Sequence, residues 1–233
     1  MQRGRIALVG AALLAASAAF PSVSHADTFT FTSCHISSGC GTETSFGTVT
    51  LNQVGTSVTF DVVLSSGNRF VETGAGGGEL FLFNANNLGA SSTITTISVT
   101  LNGGPATIPG GVTGIIDNLN PVMADGTGTF TGSVECTVPG DCNGGSTPNI
   151  NDLHFTVTNA TLAQLEIGNG NGAGGTSNMF VADIFCGNCP GPTFTGPVDV
   201  PVPGPIVGAG LPGLVAACTG LVALARRRRK LVV

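Results

Sequence analysis

The stretch Thr48-Val49-Thr50-Leu51-Asn52-Gln53-Val54-Gly55-Thr56-Ser57-Val58-Thr59-Phe60-Asp61-Val62-Val63-Leu64 decides the fold class. Val58, Phe60, Val62 and Leu64 alternate with Thr59, Asp61 and Val63. Successive side chains of a strand point to opposite faces, so this period of two reads as a strand with one buried and one wet face. The segment 48–53 repeats the pattern, and Val54-Gly55 between the two runs is expected to turn a hairpin.

Working outward, Phe29 and Phe31 alternate with Thr28, Thr30 and Thr32 in the same way. Further strands are expected over 79–84, 95–101, 129–136, 153–158 and 179–185. Only 161–167, with Leu162, Leu165 and Glu166, offers a turn or two of helix. The segments 73–78 and 168–175 are Gly-rich loops by composition, and no tandem repeat is visible. Strands separated by Gly-, Asn- and Pro-rich loops predict an all-β protein, an antiparallel β-sandwich over 27–189. The Gly- and Pro-rich segment 190–205 is read as a linker that stands this domain off the next element.

The ends of the chain carry a different kind of information. Arg3 and Arg5, a short Ala-rich apolar run and Ser24-His25-Ala26 make residues 1–26 a signal peptide, with cleavage expected after Ala26. Residues 206–225 form an uncharged run of 20, long enough as a helix to cross about 30 Å of bilayer core. Arg226, Arg227, Arg228, Arg229 and Lys230 follow in the tail 226–233, which places the C-terminus in the cytoplasm and the strand domain outside. Pro212 and several glycines weaken that helix, in keeping with a temporary anchor.

All 13 acidic residues fall between Asp27 and Asp199, where Arg69 is the one basic residue, so the exported body carries a net −12. Such a surface repels phosphate backbones and argues against nucleic acid as a partner. Six of the 7 cysteines lie in the same body as close pairs: Cys34 with Cys40, Cys136 with Cys142, Cys186 with Cys189. Even number and export favour disulfides, and local pairing is the simplest of the possible connectivities. Cys218, in the apolar tail, is left over.

Val202-Pro203-Gly204-Pro205, the apolar run and the terminal basic cluster together resemble a PEP-CTERM sorting signal, with Gly204 at the position of that family's glutamate. Gly208 to Gly213 fits a Pro-Gly-Pro variant of such tails. The body, in Gly47 to Gln53, Val58 to Leu64, Phe70 to Gly74 and Phe81 to Asn84, is loosely similar to exported domains that precede them. The resemblance implies recognition by an exosortase-type membrane protease after signal peptidase and the secretion machinery have acted. It also implies a transient stay in the inner membrane, then a place at the cell surface or outside the cell, with exopolysaccharide as an associate. The expected function is that of a non-enzymatic envelope or matrix protein. The alternative is a secreted hydrolase or a carbohydrate- or calcium-binding module.

Chemistry-bearing patterns each meet a blander reading. Gly170, Gly172 and Gly175, and again Gly208, Gly210 and Gly213, match a dinucleotide fingerprint without the strand-before, helix-after context it needs. Cys186-Gly187-Asn188-Cys189 could be a redox motif or half a zinc site completed by Cys34, His35 or Cys40, but export favours the disulfide. His154, between Leu153 and Phe155, reads as a surface imidazole, and no Gly-x-Ser-x-Gly elbow supports a serine hydrolase. Asp117, Asp125, Asp141 and Asp152 occupy loop-like stretches where calcium could bind, although Asp141-Cys142-Asn143-Gly144 lacks the rest of a helical calcium loop. Thr28-Thr30-Thr32 suits an ice-binding face in residue type but not in regular repeat. With no Trp or Tyr, sugar-stacking platforms would have to come from Phe.

Overall fold

The computed structural model describes residues 25–72, 77–138, 140, 142, 150–172, 175–191 and 194–202. In chain order the strands begin with β1 (Ala26–Phe31), β2 (Ser33–Cys34), β3 (Gly47–Val54), β4 (Ser57–Leu64) and β5 (Arg69–Phe70). They continue with β6 (Glu79–Phe83), β7 (Ile94–Leu101), β8 (Gly104–Pro105), β9 (Val112–Ile116) and β10 (Val122–Ala124). The last are β11 (Gly128–Phe130), β12 (Gly132–Cys136), β13 (Asp152–Thr158), β14 (Asn178–Phe185) and β15 (Thr195–Pro201). One helical turn, α1 (Leu162–Leu165), falls inside the expected 161–167, with Gln164 Oε1 accepting from the Thr161 N–H at 2.9 Å.

Among the described residues the protein is all-β, and the strand pairings are antiparallel. One sheet runs β1-β3-β4-β13-β7-β8 and a second runs β2-β15-β14-β6-β12-β9, with β5 also on β14. The two share a core. Phe60 of β4 and Phe155 of β13 meet Phe81 and Phe83 of β6, and Phe60 also meets Phe180 of β14, with ring centroids 5.4 to 6.1 Å apart. Val49, Leu51, Val58, Phe60 and Val62 are buried as the alternation requires, and Thr48, Thr50, Thr59 and Asp61 face outward.

Alternation fails in β6 and β14, whose residues are buried almost without a break. At Leu82 and Val181 the reason is a second apolar layer. The β10–β11 hairpin lies on the outer face of the second sheet, where Ala124 and Phe130 pack with Leu82 and Val181. A strand covered on both faces has no wet side for polar residues to occupy.

Four expectations need correction. The hairpin turns at Gly55-Thr56, because Val54 pairs with Ser57 and Gly55 takes φ +60° at the first loop position, where a tight two-residue turn needs glycine. The strand expected over 129–136 is two, broken at Thr131, whose Oγ1 accepts from the Ala85 N–H at 2.9 Å. Gly132 then enters the main sheet against the Phe83 ring, where an added Cβ would come within 2.6 Å. The strand expected over 95–101 contains a bulge opposite Phe155, with Thr96 at φ +54°.

The largest correction concerns the segment 190–205, read as a linker. Its residues Thr195–Pro201 are β15, paired along β14 and touching β2, with Val198, Asp199 and Val200 buried. Pro197 and Pro201 lack a donor, but a proline carbonyl still pairs: the His35 N–H donates to Pro197 O at 2.8 Å. The domain therefore extends beyond 189 to Val202.

Candidate functional site

The three local cysteine pairs are brought together as expected. Cys34–Cys40 and Cys136–Cys142 have Cα atoms 6.3 Å apart, and Cys186–Cys189 5.5 Å, all within disulfide range. Each pins the end of a strand: β2, β12 and β14. Glu43 approaches the third pair, with Oε2 3.3 Å from Cys186 Sγ, and its Oε1 accepts from Asn68 Nδ2 at 3.0 Å. Glu43, Cys186 and Cys189 are the one trio of metal-ligand types within mutual reach among the described residues. Sulfurs joined to each other are not thiolates and offer a metal little. Cys34, His35 and Cys40 take no part in that trio.

His35 sits between Ser33 and Asp199, with its Nε2 3.1 Å from Asp199 Oδ1 and 3.5 Å from Ser33 Oγ. Burial pushes the Asp199 carboxyl up, while Ser33 and His35 act against that. The residue types are those of a hydrolytic triad, but the geometry differs. Serine and carboxylate meet the same ring nitrogen, whereas a relay needs the carboxylate on one nitrogen and the nucleophile on the other. This arrangement ties β2 to β15.

His154 projects from the wet face of the first sheet, its Nδ1 3.0 Å from Asp61 Oδ1 on the neighbouring strand. The two are close but out of line for a hydrogen bond, and both are about half exposed. They interrupt a row that runs Thr28, Thr50, Asp61, His154, Ser98 across five strands. Thr28 and Thr50 hydroxyls hydrogen-bond at 3.0 Å at its start. The parallel row Thr30, Thr48, Val63, Asp152, Thr100 is broken by the partly exposed Val63. The face is polar and hydroxyl-rich, without an unbroken threonine lattice.

The aspartates considered for calcium are spread over separate elements. Asp117 closes its own loop, accepting from the Leu119 N–H at 2.8 Å and the Asn120 N–H at 3.0 Å, and the Asn120 side chain and these amides hold its carboxyl below the usual range. Asp125 lies in the β10–β11 turn, and Asp152 Oδ2 in β13 accepts from Thr100 Oγ1 at 2.6 Å. Asp141 lies outside the described residues.

An open depression of about 320 Å³ is lined by Gly55, Thr56, Asn159, Ala160, Thr161 and Gln164 at the tip of the first hairpin. It offers neutral donors and acceptors and no aromatic platform. Gly170, Gly172 and Gly175 lie in the loop before β14, away from any strand-to-helix turn. Gly208, Gly210 and Gly213 are outside the described residues.

Of the sorting motif, Val202 is described, and Pro203, Gly204 and Pro205 are not. The Val202 N–H donates to Ser177 O at 2.7 Å, which continues the β14–β15 ladder by one bond past Pro201. Gly168 lies against it, with no room for a Cβ between Ser177 Oγ and Val202 Cγ2. Residues 1–24 of the signal peptide, the apolar run 206–225, Cys218 and the cluster Arg226 to Lys230 also lie outside the described residues. Among the described residues no helix is long and apolar enough to cross a membrane.

Sequence reasoning missed Glu43, Asp61 and Asp199 as partners of cysteines and histidines. Asp199 is 164 positions from His35, a separation that carries no local signal. No family model, no curated protein and no solved structure matches the chain.

Proposed function

We propose that this chain is an exported cell-envelope or extracellular-matrix protein, not an enzyme, delivered by its signal peptide and sorted through a PEP-CTERM-like tail. The observation that supports the reading is that the folded domain fills the chain between the expected signal-peptide cleavage point and the motif. Strand β1 begins at Ala26, where signal-peptide cleavage is expected, and the last strand ends at Pro201, immediately before the Val202-Pro203-Gly204-Pro205 motif. Three local cysteine pairs at bonding distance suit an oxidising compartment.

The two packed sheets form the sandwich ectodomain of this reading, and residues 206–225 serve as its transmembrane helix. Signal peptidase acts at Ala26. An exosortase-type protease then acts at the tail, and the polar outer face of the first sheet is available to exopolysaccharide.

The test is the size and location of the product in membrane and medium fractions, in the native host and in a strain lacking the processing protease. Shorter protein in the medium or on the surface, only when the protease is present, supports the reading. Full-length protein in the membrane of both strains contradicts it.

A further inference from the structure

The last strand ends one residue before the motif that the proposed protease would have to reach, and the first residue of the motif is bonded to the sheet. Val202 is the motif's first residue, yet its N–H is bonded to Ser177 O at 2.7 Å and its side chain packs over Gly168. The preceding residues are held on both sides: Asp199 pairs with Val181 of β14 and with Ser33 of β2, and Val200 pairs with Phe180. Asp199 and Val200 are 2% and 4% exposed.

Downstream, only Pro203, Gly204 and Pro205 separate Val202 from the apolar run that begins at Ile206. Four peptide steps from Val202 to Ile206 span at most about 14 Å of extended chain. A protease binds its substrate as an extended segment with residues on both sides of the scissile bond, often by main-chain pairing. The main-chain groups on the N-terminal side of this motif are already engaged by β14 and Ser177.

We propose that the C-terminal end of β15 is a gate on tail processing: Val202, the first residue of the motif, is tied to the domain by its bond to Ser177 and its packing on Gly168, and must come free before the protease can cut. The inference rests on the sorting reading above and adds a folding-dependent step to it. The N-terminal signal need not face the same barrier. Ala26 pairs with Asn52 of a strand that follows it in the chain, so cleavage during export can precede strand pairing. β15 lies immediately upstream of the tail, and β14, its partner, is made before it.

The gate is small. Strand ends open locally at low cost, and a single ladder bond with one exposed valine corresponds to an open fraction of roughly one in ten. Freeing the motif should therefore speed processing by up to about tenfold.

The experiment inserts a Gly/Ser spacer of about eight residues between Pro201 and Val202 in the full-length chain, leaving the motif intact, and follows conversion by pulse-chase in the protease-containing host. Gly168→Ala, which forces Ser177 and Val202 apart, is a second route to the same release. Amide exchange at Val202 in the purified wild-type domain reports the bond directly.

The expected results are faster conversion of both variants than of wild type and a Val202 amide that exchanges more slowly than in an unstructured peptide. Processing at the same rate in wild type and the spacer variant overturns the gate while leaving the sorting reading intact, as does an unprotected Val202 amide. Processing of the spacer variant alone supports the gate in its strongest form. If neither chain is processed, both the gate and the sorting reading fall.

Discussion

Phe60 stacks on Phe155 across the β4–β13 pair, with ring centroids 4.4 Å apart and planes 12° from parallel, and the same ring meets Phe81 edge-on from the opposite sheet at 6.1 Å. This one side chain therefore links neighbouring strands and the two sheets. Phe60→Ala should destabilise the domain by about 3 to 5 kcal/mol, the cost of a lost buried aromatic plus the cavity it leaves. Denaturant titration checks this, and a loss below about 1 kcal/mol would mean that the ring is not central to the core.

The cysteine pairs each close a short loop, of sequence separation 6, 6 and 3. In the chain-entropy account each contributes about 2 kcal/mol. Replacing both Cys136 and Cys142 with Ala should lower stability by about that amount and make melting of this loop insensitive to reductant. Mass spectrometry of unreduced protein supplies the complementary check: free thiols at Cys34, Cys40, Cys136 or Cys142 contradict the pairing, and a free Cys218 has no bearing on it.

In the chain that still carries His25, Glu166 is pushed up to about 7 from 4.5, first by burial and then by the Asp27 carboxyl bonded to it, with His25 opposing. A carboxyl whose pKa is higher in the folded state binds its proton more tightly there. The stabilisation is complete below about pH 4.5 and is lost as pH rises through about 7, because the folded state holds more protons across that window. Asp199, raised by its burial, acts in the same direction. Glu166→Gln should therefore flatten the fall of Tm across that range without abolishing it. Thermal melts in a pH series decide the matter, and an unchanged slope counts against the Asp27–Glu166 contact.

The boundary of the domain gives a sharper test of the fold. Val198 and Val200 are buried, and losing two such side chains removes about 3 to 6 kcal/mol of apolar stabilisation. That is a large part of the 5 to 15 kcal/mol by which domains are usually stable. Residues 27–202 should fold cooperatively, whereas residues 27–189 should not. Circular dichroism melts of the two polypeptides distinguish these outcomes, and equal stability would return β15 to the status of a linker.

How much was legible depended on what covered each strand. β3 and β4 have one wet face, so Thr48, Thr50, Thr59 and Asp61 mark it in the sequence. β6 and β14 are buried almost without a break, at Leu82 and Val181 under Phe130 and Ala124, so their apolar runs gave position without orientation. β15 was hidden because Gly196, Pro197 and Pro201 look like linker chemistry, and its strand character comes from partners on β14 and β2. The cysteine pairs were readable because they are local, and the His35–Asp199 and His154–Asp61 contacts were not, because each joins distant segments.

The most direct test of export and tail processing is the intact mass of the protein recovered outside the cell, measured without reduction. The account predicts a chain that begins at Asp27, carries three disulfides and ends before Arg226, present only when the processing protease is present. A full-length chain that keeps Arg226 to Lys230 and stays in the membrane whether or not the protease is there would contradict it.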